Sequence, residues 1–272
     1  MKWLGLFLFS LAAILLAASI YLWNWLPATS EIKGCMTTSM YQVKLCPGSK
    51  DYVPLKQISS YLQRTIILTE DSNFWNHHGF DWDSIEKNFR EGWEKGVYKR
   101  GGSTITQQLA KNMFLNKDRT FFRKGLEALI TDRIENTLSK REILERYLNV
   151  VEFGKNIYGV KKAAEYYFKK SPAELDVVES AFLAMILPNP TKYSNSYFKK
   201  ELTPFARKRL NRIVGDLFQY NRITQEEYNI AMAKLENFLG PENSPEEFKS
   251  DENSSDLKSL DNDTDEQDSE EN

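Results

Sequence analysis

Histidine and cysteine are nearly absent from this chain of 272 residues, which has two of each: His77, His78, Cys35 and Cys46. No Cys/His cluster has zinc-ligand spacing, and the histidine pair is not an HExxH helix motif, so a zinc centre does not organise the protein. A phosphate-cradling P-loop, an internal repeat and a heptad array are missing as well. Charge is absent from Trp3 to Pro27, WLGLFLFSLAAILLAASIYLWNWLP. About 20 apolar residues span a bilayer as a helix. Residues 1–27 are therefore expected to be an uncleaved transmembrane anchor, with Trp23 and Trp25 at an interface. A cleaved signal peptide is the competing reading, since LLAAS offers small residues, but the run is long for a signal core. Lys2 is the one charge on the short side, and the positive-inside rule then puts the body outside the cytoplasm.

Large apolar groups are scarce at the other end. From Pro241 to Asn272 there are 13 Asp and Glu against two Lys. Such a segment buries too little surface to offset its ordering entropy, so 241–272 reads as a disordered acidic tail. Residues 1–240 then hold 34 Lys and Arg against 25 Asp and Glu, a net charge of +9. A basic body suits phosphates or anionic lipid headgroups, and its extracytoplasmic placement argues against nucleic acid.

Between anchor and body, 28–52 reads as an irregular neck with scattered Pro, Gly, Ser and Thr. Cys35 and Cys46 enclose ten residues. A disulfide in an oxidising compartment and two free thiols both remain open. The body, 53–240, is a succession of helices. Leu55, Ile58, Leu62 and Ile66 repeat at helical spacing, as do Ile85, Phe89 and Trp93 before a stop at Gly96. Ser139 to Glu142 and Ser171 to Glu174 are capping boxes, the second expected to open a helix running through Leu175, Val178, Phe182 and Met185. Thr203-Pro204 and Thr224 to Glu227 begin two more.

Four stretches carry more than packing. EDSNFWNHHGFD, from Glu70, ends an apolar helix with adjacent carboxylates, aromatics and imidazoles. GGSTITQQLAKN, from Gly101, leads two glycines into a helix whose N-terminal N–H groups suit an anion. Ser103, Gln107 and Lys111 form one polar stripe on it, opposite Ile105, Leu109 and Met113. On the next helix Phe122, Leu126, Leu129, Ile130 and Ile134 set an apolar arc. Arg123 and Glu127 fall at its edge, where charges should be partly buried and paired. The fourth stretch, KREILERYLNVVEFG with AAEYYFKK, reads mostly as scaffold.

Taken in order, EDSNFWNHHGFD, GGSTITQQLAKN, RKGLE, KREILERYLNVVEFG and AAEYYFKK resemble the peptidoglycan glycosyltransferase family in its monofunctional, membrane-anchored form. The resemblance implies a mainly α, lysozyme-like, two-lobed glycosyltransferase domain with one N-terminal transmembrane helix. It places the chain in the bacterial inner membrane with a periplasmic site. Lipid II and the growing lipid-linked glycan are the implied substrates, joined with inversion to give β-1,4 linkages and release polyprenyl pyrophosphate. Membrane lipids and other wall synthases are implied partners. After Gly240 there is no SxN or KTG motif, so no transpeptidase domain is expected. By the resemblance Glu70 is the base and Glu127 a second essential carboxylate at the donor pyrophosphate. Lys111, Arg119, Arg123 and Lys124 supply positive charge. Asp71, Phe74, His77, Gly101, Ser103, Thr104, Gln107, Gln108 and Asn112 complete the substrate-binding set. No cofactor is obligatory, and a divalent cation, Mg2+ or Mn2+, is admitted at the pyrophosphate. The family also implies a segment near the membrane at 92–102, where Trp93, Val97 and Tyr98 meet the interface. A lytic transglycosylase or lysozyme-like hydrolase is the rival enzyme, and an inactive membrane scaffold the rival class; moenomycin binding separates a polymerase from both.

Truncation after Gly240 should leave polymerisation of labelled lipid II at the full-length rate, and loss of activity in a folded truncated protein would show that the tail takes part.

Overall fold

The computed structural model describes residues 2–96, 102–118 and 120–239; within these, the side chains at 2, 15, 18, 19, 22, 23, 25, 93 and 95 are not described. The segment 97–101, Arg119, the acidic tail and the side chains of Trp23, Trp25 and Trp93 thus lie outside the described residues.

The chain opens with α1 (Lys2–Trp25), followed by a short helix α2 (Thr29–Lys33). Among the described residues no helix is long and apolar enough to cross a membrane. The neck, read from the sequence as irregular, carries short regular elements. Two-residue strands β1 (Met36–Thr37) and β2 (Lys44–Leu45) pair antiparallel, and Cys35 and Cys46 are disulfide-bonded beside them. Ile32 and Leu45 are buried in the same core as the body. Buried Arg146 donates to the carbonyls of Lys33 and Gly34, holding the neck by its backbone.

A single turn at Leu55–Gln57 precedes α3 (Ser60–Glu70). One continuous helix from Leu55 was expected. The break falls at Ser59, whose hydroxyl caps α3 through Tyr61 N–H while its own N–H bonds the Pro172 carbonyl. Helix α4 (Trp82–Lys95) ends at Gly96 in the left-handed conformation. Its apolar stripe does not join the core: Trp82, Ile85 and Phe89 are exposed. Next come α5 (Ile105–Phe114), α6 (Phe121–Glu135) and α7 (Lys140–Val150), the last opened by the Ser139 capping box. On α6 the buried arc is Leu126, Glu127, Ile130, Thr131 and Ile134. Phe122 and Leu129 stand exposed, which corrects the sequence reading.

A small hairpin, β3 (Glu152–Gly154) with β4 (Ile157–Tyr158), leads to α8 (Val160–Phe168). The Ser171 box caps only the turn Pro172–Glu174, and Asp176 starts a second box for α9 (Val177–Ile186). Short helices α10 (Pro190–Tyr193) and α11 (Asn195–Phe198) precede α12 (Pro204–Gln219) and α13 (Gln225–Glu236). Helices α3, α9, α12 and α13 pack as one group, and α5, α6 and α7 as another. Every residue of α9 is buried, so it forms the hydrophobic axis of the first group.

Asn149 joins α7 to the strand-like entry of the body. Its amide accepts from Val53 N–H (2.8 Å) and donates to the Val53 and Glu145 carbonyls. Gly159 closes on the same residue at φ 82°, where an added Cβ would meet the Asn149 carbonyl oxygen at 2.6 Å. Asn149→Ala leaves both backbone groups of Val53 unpaired in a buried setting, which costs about 1–3 kcal/mol per group. Urea unfolding should therefore show a loss of roughly 2–6 kcal/mol, and an unchanged midpoint would mean that water satisfies Val53 equally well.

Candidate active site

The site forms where α3 ends and α5 begins. Asp71, directly after Glu70, is buried. Its Oδ2 accepts the Ile105 N–H (2.9 Å) and its Oδ1 lies 2.8 Å from His77 Nε2. The His77 side chain is largely covered, and its Nδ1 has no partner among the described residues. Thr104 caps α5 by accepting from Gln107 N–H, and its hydroxyl donates to the Gly79 carbonyl (2.6 Å). Gly79 has φ 81°, and a Cβ there would come within 2.8 Å of Thr131 Cγ2, so the loop and α6 approach as only glycine permits.

These contacts revise part of the sequence reading. The N-terminus of α5 is not open to a ligand, because the protein's own Asp71 carboxylate occupies its positive end. Gln107 is buried and its Oε1 accepts the Thr104 N–H, so it completes a capping box rather than a ligand-facing stripe. Phe74 is fully buried, with the Lys140 ammonium 4.7 Å from its ring centre; it packs the loop and offers no surface to substrate. Thr104 and Asn112 are buried as well. Asp71, Phe74, His77, Thr104, Gln107 and Asn112 thus act on the frame of the site. Gly101 and Arg119 lie outside the described residues.

A smaller set is less enclosed or carries the charge of the site. Glu70 is only partly covered, and its Oε2 accepts from Gln108 Nε2 (2.9 Å). Gln108 is itself aimed by the buried Tyr147, whose hydroxyl donates to its Oε1 (3.1 Å). Burial raises the Glu70 pKa above the ordinary carboxylate value, and the Asp71 charge adds to this. The Gln108 hydrogen bond, Arg209 and Lys111 pull the other way. One turn further along α5, Lys111 makes no hydrogen bond or ion pair among the described residues. Its pKa is lowered, first by burial and then by Arg123 and Lys124, while Glu127 and Glu70 oppose the shift. Glu127 is 2% exposed and accepts from Arg123 Nη1 (2.8 Å) and from Lys124 Nζ, which also reaches Ser103 Oγ at 3.3 Å. The expected pairing of Arg123 with Glu127 is present.

The arrangement is a partly buried carboxylate beside a cluster of three cations around one carboxylate. It can accept a proton at one end and stabilise a departing anion at the other. Among the described residues no group of three His, Cys, Asp or Glu side chains is placed to hold a metal. Sequence reasoning missed Tyr147 and Arg209. The phenol of Tyr147 on an apolar helix face was a usable signal, since a buried hydroxyl requires a partner; Arg209 offered none.

Comparison with known proteins gives the family of the chain. Residues 38–217 match the family model described as Transglycosylase. A biosynthetic peptidoglycan transglycosylase of Azoarcus sp. (strain BH72) is 40% identical over 206 residues, 72% of this chain and 88% of that protein. A protein of the same name from Herminiimonas arsenicoxydans is 50% identical over 142 residues, 52% of this chain and 62% of its own length. The crystal structure of penicillin-binding protein 1A from Haemophilus influenzae is 26% identical, covering 47% of this chain and 15% of that one with a TM-score of 0.28, a likeness that carries no argument about the fold. With the family model spanning most of the body, this chain belongs to the transglycosylase family.

Proposed function

We propose that this chain polymerises glycan strands from lipid II, with Glu70 as the base that takes the proton from the acceptor's 4-hydroxyl. The observation that carries this reading is the pairing of Gln108 and Lys111 on one face of α5. The first holds Glu70 by a hydrogen bond, and the second stands in the field of both Glu70 and Glu127. Base and leaving-group cations are thereby fixed to a single rigid element. The acceptor oxygen attacks the anomeric carbon of the donor and inverts it. Pyrophosphate departs as a stable anion and needs positive charge rather than an acid. Lys111, Arg123 and Lys124 supply that charge, with Arg119 assigned the same role. Glu127 keeps Arg123 and Lys124 together against their mutual repulsion.

The same reading makes the body lysozyme-like and two-lobed, and α1 a membrane anchor. A helix of 24 residues is about 36 Å long, and Trp3, Leu4, Leu6, Phe7 and Phe9 are exposed on it. The exposed apolar stripe of α4 is assigned to the lipid interface. The Cys35–Cys46 disulfide supports an extracytoplasmic, oxidising location. Other wall synthases remain proposed partners.

Purified wild type should convert labelled lipid II to long glycan, and Glu70→Gln should lose on the order of 10²–10⁴-fold in rate. Degradation of finished glycan without synthesis would instead establish the hydrolase. Because the base must be ionised, the rate falls on acidification at a higher pH than an ordinary Glu would set. Gln108→Leu removes a bond that favours the charged form, so it should move this acid limb to still higher pH; an unmoved limb would separate the limb from Glu70.

Stability follows the opposite sign. A carboxyl whose pKa is raised by folding favours the native state when protonated, and stability is lost as pH climbs from the ordinary Glu value through the raised one. At neutral pH Glu70 therefore costs stability. Glu70→Gln should melt at the wild-type temperature or above it at pH 7 while being inactive, and a lowered melting temperature would show that Glu70 holds the fold.

A further inference from the structure

A cavity of about 520 Å³ lies between α3 and α12, lined by Thr69, Ser72, Arg209, Arg212, Asp216 and Arg222 among others. This is the size of a ligand pocket rather than a packing defect. Thr69 and Ser72 flank Glu70 in sequence, and Arg209 is near enough for its charge to lower the Glu70 pKa. The cavity thus adjoins the base but draws on α12 and the turn after it, not on the α5 and α6 cations.

Its charge is unbalanced. Three guanidinium groups face one carboxylate, Asp216, and among the described residues the one ion pair there is Arg212 to Asp216 at 3.8 Å. The Arg222 carbonyl accepts from Arg64 Nη1 (2.9 Å), which fixes the backbone of that lining residue. Guanidinium forks match planar carboxylates in bidentate fashion, and a lone acid among them accepts an ammonium. Asp216 lowers the net positive charge of the lining and gives it one site for a cationic group. An acidic peptide carrying one ammonium uses all four groups.

Resting on the polymerase reading, we propose that this cavity is a subsite for the peptide stem of the incoming acceptor. The stem of a lipid-linked muramyl sugar is a short chain with several carboxylates and one amino group on its diamino acid. Held beside Thr69 and Ser72, it would bring the acceptor sugar to Glu70 from the α12 side. The subsite sets acceptor affinity and leaves the chemical step to Glu70.

The test uses the full-length protein and a synthetic stem pentapeptide containing a diamino acid, free of sugar, lipid and phosphate. Calorimetry should show saturable binding to wild type, weakened on the order of tenfold or more in the double variant Arg212→Gln, Arg222→Gln. The peptide with its carboxylates amidated should bind wild type as weakly as the acidic peptide binds the variant. With lipid II as substrate, the variant should raise the acceptor KM and keep kcat. Equal peptide affinity in wild type and variant, or no saturable binding to wild type, would overturn the assignment. Inorganic pyrophosphate losing affinity in the variant while the peptide does not would overturn it in favour of a phosphate subsite. Peptide binding is read without turnover, so failure of the polymerase reading shows separately, as an absence of polymer with the peptide still bound.

Discussion

The buried carboxylate of Asp71 holds the site together. It sits at the C-terminal end of α3, accepts the first N–H of α5 and meets His77 from the intervening loop. An acid placed at a helix N-terminus is stabilised by the helix dipole, and burial strengthens the hydrogen bonds it makes. The adjacent residue is Glu70 and the helix so held carries Gln108 and Lys111. One side chain therefore fixes the separation between the base and the cations. The Thr104 hydroxyl on the Gly79 carbonyl and the Thr106 hydroxyl on Glu135 (2.5 Å) repeat the tie from two sides. Lys140 completes it by bonding Glu135 and lying over Phe74.

This frame is what allows the working groups to be unfavourably placed. Glu70 has its charged form disfavoured by burial, and Lys111 is a half-covered ammonium beside two other cations. Neither contributes to the fold in that state; both are set for a ligand that would bring a proton to the first and negative charge to the second. The stability that offsets them is remote, in the buried α9 and the ion pairs of Glu179 with Lys170 and Lys234.

The sequence made the helices legible where the signal was local. The caps at Ser139, Thr203 and Thr224 depend on residues three apart and stand where they were read. The break at Ser59 was hidden, because an apolar repeat continues in phase across it and the competing bonds come from Pro172 and Leu175, whereas the box of Asp176 with Glu179 was a local signal that the apolar repeat masked. The ordered neck was hidden for a similar reason: strands of two residues carry no periodicity, and its hold on Arg146 is long-range. Within the site, the motif blocks named the right helices but could not say which neighbour faces the cleft. Gln107 and Gln108 differ by a step of about 100° around the axis, which sends one into the cap and the other to Glu70. Arg209 approaches from a helix whose charges look like an ordinary solvated face.

The most direct measurement of the central claim is lipid II polymerisation by Asp71→Ala in a protein whose circular dichroism and melting remain cooperative. The account predicts a large loss of polymer synthesis, since α5 is released from the end of α3 and Gln108 and Lys111 no longer hold their places relative to Glu70. Synthesis at the wild-type rate would contradict it, and would mean that base and cations are positioned without this link.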